Sequence, residues 1–391
     1  MSSNLKERVL DYLEKRKQNI VDGNINSIPS PFTRFSEDFL GIEQGMYYLI
    51  TASTKASKTQ LSSFIFIYNT LMYSYNNPEK ATVKIFYYPL EETPEEVMIR
   101  FMSYILYTLN KEIRISPKDL KSSNNKKPLS NYILEILKSE EYTKILNHFQ
   151  DNIVFSNSTN PTGVWKEMVK YAEDNGTTYK KKIPIKDDFG NSKIIETFDY
   201  YVSNNPKEYR IVYFDHVSLI NTEKGMTLKQ SIDKLSEYMV TLRNHYNYTP
   251  VIIQQQSMIG ESLEAFKEGK LSPSIANLSD SKYPARDCQI SLGIFSPFKH
   301  SLPEYMGYNI KKFRDNIRFL EVLINRSGSP GGICPLYFDG AVNFFSELPL
   351  PTDTAALQQI YDYLDKLRGK TNKSFFVKNI KTIKKILKYN G

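Results

Sequence analysis

Cysteine is nearly missing from this 391-residue sequence: only Cys288 and Cys334 occur, with no CxxC pair and no Cys/His cluster beside them. That excludes a disulfide framework and a zinc site, and it fits a reducing cytoplasm. Also missing is any run of about 18 apolar residues, the length a membrane-spanning helix needs. The N-terminal MSSNLKERVLDYLEKRKQ is charged throughout and lacks the apolar stretch of a signal peptide, so a soluble, cytoplasmic protein is expected. An excess of charge of one sign is absent outside one place. The formal charge is +8, yet Lys366 to Gly391 holds nine Lys or Arg and no acid, so the body is near neutral and the tail basic. No internal repeat of fixed period is visible. What is present is 40% hydrophobic residues with 28 Tyr and 22 Phe, enough to bury a sizeable core.

The apolar pattern alternates between two periods. Leu5, Val9, Tyr12 and Leu13 recur at helical spacing among charges and predict a short amphipathic helix ending near Asp22-Gly23. From Gly45 the order is strand, small-residue loop, helix: MYYLITA, then KTQLSSFIFIYNTLMYSY. A second strand, ATVKIFYYPL, leads into a helix that starts at Thr93-Pro94-Glu95-Glu96. After a long interval come a third strand, RIVYFDHVSLI, a helix around Leu228 to Tyr246, and a fourth strand, TPVIIQQQ. Strands alternating with helices imply a mostly parallel sheet. In the interval, Lys118 to Ser130 reads as a polar loop. TTYKKKIPIKDDFGNSKIIETFDYYV reads as a projecting β-hairpin turning at Asp188-Phe189-Gly190-Asn191.

The stretch MYYLITASTKASKTQLSSFIF carries the first chemical signal. A phosphate-binding loop reads GxxxxGK[ST]; here Ala52 and Ser57 stand in the two glycine places, while Lys58 and Thr59 remain. In such a loop the residues Ser53, Thr54, Lys55, Ala56 and Ser57 would turn backbone N–H groups toward phosphate. Lys58 would add charge, and the Thr59 hydroxyl would meet magnesium. A plain Lys-Thr at an ordinary helix start is the alternative. Asp215 ends the third strand, the place from which a carboxylate reaches magnesium-bound water. Glu91 follows the second strand and could polarise water, or could be an ordinary acid at a helix start. Gln256 ends the fourth strand and could sense a γ-phosphate or merely cap the strand. All four groups converge on one sheet edge.

This ordered series resembles the ATPase domain of hexameric replicative DNA helicases of the DnaB type, phage versions included. The resemblance runs from INSIPSPFTRFSEDFLGIEQGMYYLITA through IFYYPLEETPEEVMIRF, VYFDHVSLI, TPVIIQQQ and LSPSIANLSDSKYPARDCQISLGIF to LEVLINRSGSPGGICPLYFDGAVNFF. It implies an α/β, RecA-like P-loop NTPase fold over residues 26–350, with an insertion near 176–204. An N-terminal helix and linker over 1–25 and a basic helical tail over 351–391 flank it. The resemblance puts Glu91 at the catalytic glutamate, Arg100 at a later family arginine and Gln256 at the sensor. Arg326 falls at the arginine finger that enters a neighbour's site. ATP and Mg2+ are the implied cofactors. Single-stranded DNA, a homo-oligomeric ring (a hexamer in the family) and replication proteins are the implied partners. The implied location is cytoplasmic, in the host if the chain is phage-encoded.

The sequence also departs from the family. Both loop glycines are missing, Ile324 stands two places before the finger where the family has a basic residue, and Ser279 stands where a loop arginine would meet DNA phosphate. The family's primase-interacting domain is expected to be absent, residues 1–25 standing in its place. Losing one phosphate donor or charge costs on the order of 2 to 4 kcal/mol at a transition state, enough to slow an ATPase without abolishing it. An ATP-driven helicase, a nucleotide- and DNA-binding module with little turnover, and an interaction protein that has lost its site all remain open; joint retention of six site residues argues against the last. The N-terminal helix is expected to dock Leu5, Val9 and Leu13 on a neighbouring subunit, or else on its own domain. In the tail, Phe376, Ile380, Ile383 and Leu387 share a helical face apart from Lys378, Lys381, Lys385 and Lys388, a pattern suited to nucleic acid phosphates or to a protein partner.

Overall fold

The computed structural model describes residues 5–186, 192–257, 260, 262, 269 and 271–369. In chain order the elements that matter are helix α1 (Leu5–Val21), strand β1 (Tyr48–Ala52), and a continuous helix α2 built of Lys58–Ser63, a π-helical turn Phe64–Tyr68 and Asn69–Asn76. Then follow β2 (Thr82–Pro89), α3 (Pro94–Leu109), α4 (Glu140–Asn152), β3 (Ile153–Phe155) and α5 (Pro161–Asp174). The hairpin β4 (Gly176–Lys186) and β5 (Ser192–Ser203) precedes β6 (Glu208–Asp215), α6 (Leu228–Tyr246) and β7 (Thr249–Gln255). Last come β8 (Ile290–Phe295), β9 (Ile317–Asn325), β10 (Ile333–Asp339), β11 (Phe344–Glu347) and α7 (Thr354–Arg368).

Local chemistry explains the helix starts. Thr93 accepts from the Glu96 N–H and Pro94 takes the first helical position of α3, where its missing N–H costs nothing. Thr227 and Gln230 close a reciprocal capping box at the start of α6. Within the polar segment expected to be loop, Pro117–Leu120 forms one helical turn, because Ser116 and Asp119 cap each other in the same way.

Nine strands form one sheet in the order β11-β10-β9-β8-β1-β7-β6-β2-β3. From β8 to β3 all neighbours are parallel; β9, β10 and β11 extend the sheet antiparallel. The central strands are buried on both faces, as parallel strands flanked by helices must be. Tyr48 and Ile50 of β1, with Ile211 and Tyr213 of β6, join a core beneath α2, α3 and α4. Leu49, Val212 and Phe214 face the opposite core, made with α5 and α6. A third cluster seats Leu357, Ile360 and Leu364 of α7 against Phe295, Phe313 and Phe319.

The hairpin pairs from Gly176↔Ser203 out to Lys186↔Ser192, with one bulge at Tyr179/Lys180. Its root packs on the end of α6, where Phe198 stacks on His245 at 4.0 Å. The turn expected at Asp188–Asn191 and the basic tail beyond Gly369 lie outside the described residues. Helix α1 leaves Val9, Tyr12 and Leu13 about half exposed, and it is tied to the body by the 2.9 Å ion pair between Arg16 and Glu43. Among the described residues, no helix is long and apolar enough to cross a membrane.

Candidate functional site

In an open parallel sheet, ligands bind outside the carboxyl ends of the strands. At that edge β1 releases the chain at Ala52 into Ser53–Ser57, and α2 begins at Lys58. The loop is closed by a turn in which the Ala56 N–H donates to the Ser53 carbonyl at 3.2 Å. Lys55 and Ser57 both take left-handed backbone angles, with φ of 62° and 70°. Ser57 therefore adopts the glycine-like conformation that the motif's second glycine normally supplies, against the steric preference of its own Cβ. The leading N–H groups of α2 have no intrahelical acceptor and, with the helix dipole, favour an anion there.

Two elements distant in sequence meet at the start of α2. The Thr59 hydroxyl donates to Asp215 Oδ1 at 3.0 Å, joining the loop end to the end of β6. Asp215 is buried, and desolvation pushes its pKa up to about 6 against the opposing pull of Lys58, the Thr59 hydrogen bond and Arg100. The Asp215–His216 peptide is cis. The backbone N–H of Leu90 donates to the Asp215 carbonyl at 3.0 Å, which brings the end of β2 alongside. Glu91, half exposed, approaches the His216 ring to 3.8 Å. Arg100 pairs with Glu92 instead and sits beside an open cleft of ≈470 Å³ that Gln60 and Asn343 also line.

Among the described residues, no group of three or more His, Cys, Asp or Glu side chains could hold a metal ion alone. One carboxylate and one hydroxyl oxygen fit magnesium, which keeps water and phosphate oxygens as its remaining ligands. The donor set Thr59 and Asp215 thus suits a nucleotide-bound Mg2+ and not a free structural metal.

The glutamine triplet separates by strand alternation. Gln256 is buried; its amide donates to the Thr51 hydroxyl at 2.7 Å and accepts from the Ser274 N–H at 3.2 Å. Gln254 points to the same side and donates to the Ser279 and Ser281 carbonyls. Gln255 is the one whose amide reaches the loop, donating to the Thr54 hydroxyl at 2.5 Å. The amide of Gln256 was expected to face phosphate; in this structure its side chain knits β7 to β1 and to the following loop. Ser279, in turn, bonds its hydroxyl to the Gln255 carbonyl at 2.8 Å and to Asp280 at 3.0 Å.

Arg326 is not brought to this edge. Asn325 pairs with Ile290, at the start of β8, whereas Ala52 pairs with Ile294 near its end. The two ends differ by four residues, on the order of 13 Å of strand rise. Within one chain the Arg326 guanidinium donates instead to the carbonyls of Cys288, at 2.7 Å, and Arg286. Sequence reasoning missed Gln255, His216 and Arg318. Position next to a predicted site residue was the available signal for the first two; for Arg318 there was none.

The raised pKa of Asp215 gives a stability prediction with a definite sign. Its folded-state value, about 6, lies above the unfolded value of 3.8, so burial of the carboxylate destabilises the fold above pH 6, and the penalty is gone below 3.8. In magnesium-free buffer, Asp215→Asn is expected to raise unfolding free energy at pH 7.5 by about 3 kcal/mol, a gain that shrinks as pH falls toward 4. Urea unfolding at both pH values measures it, and a variant less stable than wild type at pH 7.5 would refute the assignment of a desolvated carboxylate.

No protein-family model matches this sequence, and no curated protein matches it. Many solved structures are similar in fold, and two of them illustrate the match. One, described as an ATPase domain, superposes with a TM-score of 0.59 at 16% identity, covering 89% of this chain and 100% of that one. A DnaB-like replicative helicase, described with its interactions with primase, superposes with a TM-score of 0.57 at 15% identity, covering 88% of this chain and 67% of that one. The chain thus has the fold of DnaB-like helicase ATPase domains, with a large, mostly parallel central sheet.

Proposed function

We propose that this chain is an ATP-dependent, helicase-like motor that couples nucleotide hydrolysis to movement on single-stranded DNA. The observation that carries the reading is the 3.0 Å hydrogen bond between Thr59 and Asp215, which ties a strand-loop-helix phosphate cradle to an acidic strand end. In this reading Ser53 to Ser57 surround the phosphates with backbone N–H groups, Lys58 neutralises the terminal phosphates, and Thr59 and Asp215 hold Mg2+. Glu91 activates the attacking water. Gln255, through its contact with Thr54, takes the phosphate-sensing part first expected of Gln256. The ≈470 Å³ cleft beside Arg100 and Gln60 has room for the base and ribose. Bound magnesium would supply charge neutralisation on the phosphates; the protein's part is to hold it and to position water.

Arg326 acts across a subunit boundary in a homo-oligomeric ring, a hexamer by analogy with the DnaB type. Its place at the far edge from its own phosphate loop supports this. The exposed apolar face of α1 is the surface offered to the neighbouring subunit, and replication proteins are the expected wider partners. A second reading, a nucleotide- and DNA-binding module with little turnover, draws on one observation: both glycine places of the loop are filled, and Ser57 holds its left-handed conformation at a cost. ATP turnover measured with and without single-stranded DNA separates the two.

A further inference from the structure

The loop's missing second glycine has a counterpart on another strand. Ser57 sits at φ 70°, a conformation that strains a non-glycine residue unless its surroundings hold it. Arg318, on β9, is fully buried and lies directly behind the loop. Its Nη2 donates to the Ser57 hydroxyl at 3.0 Å, and its Nε donates to the Ala56 carbonyl at 3.2 Å. The remaining donors go to the Asp315 carbonyl at 2.9 Å, the Ile317 carbonyl at 2.8 Å and Asp315 Oδ1 at 2.8 Å. All five guanidinium N–H groups are thereby satisfied, and the cation lies over the Phe338 ring at 4.6 Å. A lysine could not reproduce this fork, since it has one nitrogen to bridge two successive loop residues.

We propose that Arg318 is a positioning residue for the phosphate loop: it clamps Ala56 and Ser57 in the anion-receiving conformation that a glycine would otherwise adopt unaided. The serine at this place is then half of a brace, with its hydroxyl as the acceptor. The inference rests on the nucleotide-binding reading for its functional consequence, but the brace exists in the nucleotide-free protein and can be read there.

Ser57→Ala keeps the Cβ and removes the acceptor; Ser57→Gly removes both the acceptor and the need for it. Calorimetry with Mg-ADP is therefore expected to give wild type and S57G within about threefold of each other, and S57A weaker by roughly 10-fold. Arg318→Gln is expected to weaken Mg-ADP by roughly 10-fold or more when Ser57 is present and to lose most of that effect in the S57G background. A merely structural arginine would instead give the same loss in both. If R318Q fails to fold, the S57A and S57G pair decides alone.

Hydrogen exchange of the Ala56 to Lys58 amides without nucleotide is expected to run roughly fivefold faster in S57A than in wild type. Equal affinities for wild type, S57A and S57G with unchanged exchange overturn the brace, as does S57G falling with S57A. A wild type that binds no nucleotide overturns the nucleotide-binding reading instead, and the exchange comparison still judges Arg318.

Discussion

Replacing Lys58 with alanine is expected to abolish Mg-ATP binding, lowering affinity by more than about 100-fold, while the protein still folds cooperatively. Lys58 opens α2 at the surface of the site, so its loss removes no core contact. On the proposed reading it removes the cation offered to the terminal phosphates, and a lost charge-assisted contact to phosphate is worth on the order of 2 to 4 kcal/mol. It also deepens the isolation of Asp215, whose carboxylate Lys58 helps keep ionised. Both effects weaken a Mg-nucleotide complex, which needs the ammonium and the ionised carboxylate together. Titration calorimetry of wild type and K58A at matched magnesium measures this. Equal binding by the two would mean that the phosphates lie elsewhere.

The second large effect concerns Arg326. Arg326→Ala is expected to leave nucleotide affinity within a few-fold of wild type and to lower the turnover of the assembled protein by roughly 1,000-fold, the scale of an arginine supplied in trans. The asymmetry follows from the sheet register, which puts Arg326 beside Ile290 and the phosphate loop beyond Ile294. A chain cannot bring the two together without breaking the β8–β9 pairing. Mixing R326A with K58A provides the decisive control. In a mixed ring, some boundaries join the intact Lys58 of an R326A subunit to the intact Arg326 of a K58A subunit, so two inactive proteins together regain part of the wild-type rate. Full turnover by R326A alone, or no recovery in mixtures shown by light scattering to co-assemble, would remove the trans role.

The parts of this fold written in local chemistry were legible in the sequence. β1, β2, β6 and β7 are buried on both faces and read as continuous apolar runs, and α3 and α6 announce themselves through Thr93-Pro94 and through Thr227 with Gln230. The meeting of Thr59 with Asp215 was legible because parallel strands all end at one edge. What escaped depends on register and on distant packing. β3 is three residues long and reads as the tail of α4. Three consecutive glutamines carry no mark of which one turns toward the loop; the pleat decides, and it selects Gln255. Arg318 looks like an ordinary polar residue in a strand, and its burial becomes meaningful only once β9 lies behind Ala56 and Ser57. Arg326 was visible as a residue, but its distance from the loop of its own chain required the strand order.

On the proposed function, this site turns over ATP in the service of movement on DNA. The most direct test is steady-state ATP hydrolysis by the 391-residue chain, with Mg2+, in the presence and absence of single-stranded DNA, with K58A as the background. Wild type is expected to show slow Mg2+-dependent hydrolysis that rises at least several-fold when single-stranded DNA is added, and K58A none above background. Wild-type hydrolysis indistinguishable from K58A, with and without DNA, would contradict it.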